Sequence, residues 1–138
     1  MKNEDILNQL VENLKSRVCE EKLVSELSVK IENNEDYACG NFFIAGKSYP
    51  FCSLMLDYKG DIHVFFFPIS ECVALALCAE GWIISPKLSI VKNLTDYQVH
   101  QFEYNQDGER EIKHFMCKSL LELVSVIYRL LEVRVKVI

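Results

Sequence analysis

The stretch IHVFFF, residues 62–67, decides how the chain is interpreted, because its side chains follow the period of a β-strand. Successive side chains of a strand point to opposite faces of the sheet. Ile62, Val64 and Phe66 therefore share one face. His63, Phe65 and Phe67 share the other face. An antiparallel sheet normally keeps one face polar. The second, aromatic face must therefore be covered by a helix of the same chain, or it marks an interaction surface. Both alternatives stay open.

The segments on either side of this stretch predict an antiparallel sheet. Alternating or aromatic-rich segments at residues 22–33, 37–46 and 49–58 precede it. Gly60 can supply the positive φ of a tight turn into it. A second hairpin is predicted over residues 96–117, where Asp107-Gly108 is a strong turn signal. Residues 82–93 form a further extended segment, which Pro86 interrupts.

Three helices are predicted around this sheet. Residues 3–18 have apolar side chains at helical spacing behind an N-capping Asn3. A central helix over residues 71–80 follows Pro68 and ends before Gly81. The C-terminal helix, residues 118–132, has one narrow polar stripe and is apolar elsewhere, which is more than one buried face requires. The alternating tail, residues 133–138, could add a strand.

These elements predict a single α+β domain over residues 1–138, with an antiparallel sheet of about five to six strands flanked by N-terminal, central and C-terminal helices. Apolar residues are 50% of the chain, which argues against disorder. The net charge of −5 and the dispersed basic residues disfavour nucleic acid as a partner. No apolar run is long enough for a membrane span, and no signal-peptide pattern opens the sequence, so we expect a cytoplasmic protein. The six scattered cysteines are expected to be reduced and structural.

Candidate chemistry rests on His63, His100 and His114. On a strand, His114 and Cys117 point to opposite faces, whereas on a helix they would share one. A metal site of His100, His114 and Cys117 is possible, because hairpin strands bring their residues together. The close ligand pair of structural zinc sites is missing, however, and no local catalytic signature is present. We therefore predict no catalytic, cofactor-binding or metal-binding residues.

The order of elements resembles that of the class I type III secretion chaperones, which are small, acidic cytosolic proteins with the order α-β-β-β-α-β-β-α. No sequence motif accompanies this resemblance, and the tail and residues 82–93 depart from it. The resemblance implies a homodimer that binds an extended segment of a secreted partner on apolar surface patches.

The leading functional hypothesis is a non-enzymatic, chaperone- or adaptor-like interaction protein that forms a homodimer and binds another protein, without a cofactor. Its candidate interface residues are Phe65, Phe67, Leu121 and Tyr128. One alternative is an acidic immunity or inhibitor-type protein that neutralises a basic partner. The third is a small-molecule binder or small enzyme that uses His63, His100 or His114.

Overall fold

The structure is a computed structural model that describes residues 3–33, 38–44, 46–48, 50–67, 87–105 and 108–136. Within these ranges the chain has two helices, α1 (Asn3–Glu20) and α2 (Leu120–Lys136). It also has seven strands, which are β1 (Leu27–Asn33), β2 (Ala38–Ile44), β3 (Cys52–Leu56), β4 (Ile62–Phe66), β5 (Lys87–Lys92), β6 (Tyr97–Asn105) and β7 (Gly108–Cys117).

All seven strands belong to one antiparallel sheet in which each strand pairs with the next along the chain. Short turns make this meander possible. Between β3 and β4, the Asp57 carboxylate accepts hydrogen bonds from the backbone N–H of Lys59 and of Asp61 at 2.9 and 3.0 Å. Gly60 has the φ of 92° that this turn requires, and Gly108 has a φ of 112° at the start of β7. Both glycines have the positive φ predicted from the sequence.

Both helices pack on one face of the sheet and on each other, which creates the core. The buried strand residues that meet them include Phe42, Leu54, Val64, Phe66, Leu88, Ile90 and Val99. Gly40 lies at the closest approach of α1 to the sheet, because a Cβ atom there would be 2.7 Å from Cγ2 of Val11. Between the helices, the Arg17 guanidinium lies 4.5 Å from the centre of the Tyr128 ring.

The α+β class and the antiparallel sheet are confirmed, whereas the predicted number of strands is too low. The segment that Pro86 interrupts supplies a full strand, β5, so the described residues form seven strands rather than five or six. The predicted central helix at residues 71–80 lies outside the described residues. Neither of the two described helices is long and apolar enough to cross a membrane.

The expectation of a strand in the tail is wrong for its described part, because α2 continues to Lys136. Four residues of alternating valine and basic side chains fit a strand and the end of a helix almost equally well. The helical period of the preceding residues decides the outcome, since each added residue extends an existing helix by one hydrogen bond.

Candidate functional site

The face of the sheet opposite α1 and α2 carries the polar and aromatic residues of interest, and we call it the distal face. In β4, Ile62, Val64 and Phe66 are buried toward the helices, while His63 and Phe65 are half-buried on the distal face. The predicted alternation of this strand is therefore confirmed. Cross-strand pairing places one row of residues on the distal face across the whole sheet: Glu32, Cys39, Met55, His63, Ser89, His100 and His114.

In the neighbouring row of the distal face, one lysine lies between two aromatic side chains. The rings of Phe65 and Phe67 stack with their centres 6.4 Å apart. Lys87 lies between two strands, with Nζ 5.8 Å from the centre of the Phe65 ring and 5.7 Å from that of Phe102. Such cation–π contacts contribute about 0.5–1 kcal/mol each at exposed sites. The distal face thus offers flat aromatic surface together with positive charge.

His63 is held on both sides by hydrogen bonds. Its Nε2 lies 2.7 Å from Oδ2 of Asp57, and its Nδ1 lies 3.1 Å from Oγ of Ser89. Because an ionised carboxylate only accepts, Nε2 carries a proton and donates a hydrogen bond to Asp57, and in the neutral ring Nδ1 accepts from the Ser89 hydroxyl. This Asp–His–Ser chain has the connectivity of a catalytic triad.

The surroundings of Ser89 do not match those of a catalytic nucleophile. Ser89 lies within β5, which pairs with β4 on one side and with β6 on the other. The backbone N–H groups of such a strand are used in the two ladders, so they are not available to stabilise an oxyanion. The chain of hydrogen bonds therefore orients His63 and ties the β3–β4 turn to the sheet.

The hydrogen bonds of Asp57 predict how the stability of the fold depends on pH. Burial disfavours its charged form, but hydrogen bonds from His63 and from the backbone of Asp61 and Lys59 outweigh burial and hold its pKa below the usual 3.8. A lowered folded pKa contributes stability above pH 3.8, which is lost as the pH falls through the folded value. We expect Asp57→Asn to lower the free energy of unfolding by about 1–2 kcal/mol at pH 7, and by progressively less below pH 3.8.

Urea unfolding of both proteins across this pH range measures the difference. Ser89→Ala is the matched control, because it removes the other hydrogen bond of His63 and leaves the contact with Asp57 in place. The loss in free energy of unfolding that Ser89→Ala causes should not become smaller below pH 3.8. If Asp57→Asn lowered the free energy of unfolding by the same amount at every pH, the lowered pKa of Asp57 in the folded protein would be contradicted.

A second cluster lies on the β6–β7 hairpin and consists of His100, Glu111 and His114, which we call the histidine–glutamate cluster. His100 and His114 are direct cross-strand partners, and their rings stack with centres 4.4 Å apart. His100 Nδ1 donates a 2.5 Å hydrogen bond to Oε1 of Glu111. One potential ligand atom from each residue lies within 4.8 Å of the others. Two imidazoles and a carboxylate form a donor set for a divalent transition metal.

Cys117 is not part of this cluster, so the ligand set considered from the sequence is corrected. Cys117 is buried, whereas His114 is exposed. Residues three apart on a strand point to opposite faces, and both residues lie on β7. Burial and, secondarily, the charge of Glu122 raise the pKa of the Cys117 thiol. The pKa of Cys39 is also raised, by burial and by Glu32. Neither thiol is activated as a nucleophile.

A groove of about 420 Å³ separates the edge strand β7 from α2. We call it the β7–α2 groove. It includes Phe115, Met116, Leu121, Glu122, Val126 and Arg129. Met116 is 53% exposed and Leu121 is 69% exposed, so this groove has an apolar wall that this chain leaves accessible.

The four interface residues predicted from the sequence lie in three different environments. Phe65 and Phe67 are half-buried, and Leu121 is exposed in the β7–α2 groove. Tyr128 is 3% exposed, and its ring is covered by Arg17 within the same chain. Burial, followed by the charges of Glu132 and Glu21, raises the pKa of Tyr128. The structure therefore does not bring the four residues together on one surface.

In the part of the chain that the structure describes, these features define an α+β fold: two helices cover one face of a seven-stranded meander, and the other face carries histidines and aromatic side chains. No protein-family model, curated protein or solved structure matches the chain.

The residues that sequence reasoning missed are Asp57, Ser89 and Glu111. Ser89 and Glu111 meet their histidines only because of strand register, which no local motif encodes. Asp57 meets His63 across the turn between β3 and β4. A partial signal exists for Asp57, because it begins the turn predicted before β4. No comparable signal marks the other two.

Proposed function

We propose that this protein is a cytoplasmic, non-enzymatic interaction module that forms a homodimer and binds a protein partner in the manner of a chaperone or adaptor. The observation that carries the proposal is the position of its exposed apolar residues. Seven large hydrophobic side chains are exposed among the described residues, and four of them belong to β7 and α2: Ile112, Met116, Leu121 and Val133. Met116 and Leu121 line the β7–α2 groove together, and contiguous apolar surface marks an interaction site, whereas single exposed residues do not.

A second copy of the chain is the occupant that we assign to the β7–α2 groove. The groove combines apolar Leu121 and Met116 with Glu122 and Arg129 of opposite charge. A twofold axis brings the same patch of each subunit together, and a patch that holds both charges can pair with itself. The distal face, with Phe65 and Phe67, then remains for an extended segment of the partner protein.

The resemblance to class I type III secretion chaperones is part of this proposal. The described chain has four strands before residues 68–86 and three after them, one more in each half than the family order contains. The shared features are the terminal helices, the antiparallel sheet and the acidic composition.

Light scattering over a dilution series, at low and high salt, tests the homodimer. We expect a dimer that resists salt, because burial of apolar surface is screened far less than attraction between charges. Leu121→Glu should weaken the dimer at least about tenfold, since it buries an unpaired charge in the interface. Leu94→Glu is the matched control, because Leu94 is 100% exposed in the β5–β6 turn and its replacement should change nothing.

A monomer at every concentration would contradict the proposal. If Leu121→Glu and Leu94→Glu dimerised equally well, the β7–α2 groove would not be the dimer interface. Association that weakens strongly with salt would support the alternative of an acidic protein that neutralises a basic partner.

A further inference from the structure

We propose that His100, Glu111 and His114 form a binding site for a divalent transition-metal ion, of which Zn²⁺ is the first candidate. This site goes beyond the proposed interaction function and does not depend on it. It rests on the strand pairing, on one irregularity in β7 and on the positions of the three side chains.

The pairing of β6 with β7 places the two imidazoles side by side. His100 and His114 lie directly opposite each other in the register. Their rings are stacked, with an angle of 11° between the two ring planes and with centres 4.4 Å apart. Cross-strand partners on one face keep this separation wherever the two strands stay paired. Imidazole nitrogen suits zinc, copper and nickel, so the pairing brings two potential ligands together. Rotation of the exposed His114 ring out of the stack is needed before nitrogens of both rings can face one ion.

A β-bulge adds the carboxylate. The register steps from Gln101 opposite Lys113 to Phe102 opposite Glu111, so Ile112 is an extra residue in β7. In an unbroken strand, Glu111 and His114 would point to opposite faces, because they are three residues apart. The extra residue reverses the alternation between them, so both side chains lie on the distal face. Bulges commonly re-aim a side chain in this way next to functional sites.

The distances suit closure around an ion. One ligand atom from each residue already lies within 4.8 Å of the others. Ligands about 2.0–2.2 Å from a tetrahedral zinc ion lie roughly 3.3–3.5 Å apart. The required shift is therefore small, and the exposed side chains of Glu111 and His114 can make it by rotation. The hydrogen bond from His100 Nδ1 to Glu111 holds the carboxylate at the ring. An ion that binds between these two atoms displaces the proton of this bond, which is released to solvent.

The site would leave a coordination position open. A tetrahedral zinc ion has four ligands. Three protein ligands therefore leave one coordination position for water or an external ligand. The side chains of His100 and Glu111 are 28% and 44% exposed, so solvent reaches the cluster. An ion here would also link the edge strand β7 to β6, and binding to the folded state alone raises the unfolding temperature.

Isothermal titration of the metal-free protein with Zn²⁺ tests the site. We expect saturable binding of one ion per chain at this cluster, and an affinity at least about tenfold lower for His114→Gln and for Glu111→Gln. His63→Gln is the matched control, because His63 lies in the same row of the distal face but outside the cluster. The control should bind Zn²⁺ as the unmodified protein does.

Two further measurements separate the possible outcomes. Zn²⁺ should raise the unfolding temperature of the unmodified protein and of the control, and not that of the two cluster variants. Without metal, the two cluster variants should unfold at temperatures similar to that of the unmodified protein, because Glu111 and His114 are exposed. The control loses the hydrogen bonds of His63, so its unfolding temperature is compared with and without Zn²⁺. Co²⁺ substitution distinguishes nitrogen and oxygen ligands from thiolates by its absorption. The absence of saturable binding, equal binding by His114→Gln, or a thiolate spectrum would overturn the proposal.

Discussion

Replacing Phe66 with alanine is expected to lower the free energy of unfolding by about 3–5 kcal/mol. Phe66 is 0% exposed and lies on the helix-facing side of β4, opposite Cys52 of β3. The loss combines the transfer energy of the ring with the cost of the cavity that it leaves, because a close-packed core relaxes only in part. Small domains are stable by about 5–15 kcal/mol. This one substitution therefore removes much of the available stability.

The adjacent Phe65 gives a matched control of the same residue type. Phe65 is half-buried on the distal face, where it contacts Phe67 and the Lys87 ammonium group. Phe65→Ala should cost about 1–2 kcal/mol, since it loses one aromatic pair, one cation–π contact and part of its burial. Urea unfolding of the two variants at one temperature measures both losses. Equal losses would mean that the two faces of the sheet are packed alike, which contradicts the assignment of the distal face.

Gly40→Ala is expected to lower the free energy of unfolding by about 1–3 kcal/mol. Alanine is normally better than glycine inside a strand by about 0.5–1 kcal/mol, so the expected sign is opposite to the intrinsic preference. The reason is that the added Cβ would lie 2.7 Å from Cγ2 of Val11, which is 1% exposed. Valine has one strongly preferred rotamer in a helix, so its methyl group cannot rotate away cheaply. Helix α1 must then move away from β2.

A double-mutant cycle tests this explanation. Val11→Ala removes the methyl groups that the new Cβ would meet, so Gly40→Ala should cost much less in that background than alone. Strictly additive losses would mean that the close approach of α1 is not the cause. The measurement is the free energy of unfolding of the four proteins in urea.

The main features of the fold could be predicted because they depend on local patterns. The alternation of residues 62–67 and the two glycine-containing turns indicate strands and hairpins directly. The excess apolar surface of α2 is partly explained by the core, because Leu123, Ile127 and Leu131 are buried between the sheet and α1. Leu121 and Val133 stay exposed, and a helical period alone does not separate these two groups.

The candidate sites were harder to predict because they depend on register between strands. The turn pairs Asn105 with Gly108, so an unbroken hairpin would place Lys113 opposite His100. The bulge at Ile112 brings His114 to that position instead, and no pattern in the sequence predicts the bulge. The same limit applies to Ser89, which meets His63 across two strands separated by residues 67–86. Single-residue shifts of register reverse a whole face.

The packing of α1 against α2 has a consequence for how the chain folds during its synthesis on the ribosome. The sheet can grow strand by strand as the chain emerges, since each strand pairs with its predecessor. Helix α1 emerges before the seven described strands, whereas its partner α2 emerges after them. Until then, part of the apolar face of the nascent sheet lacks its cover and is prone to aggregate. The layer of two described helices is therefore complete only after residues 120–136 have been made.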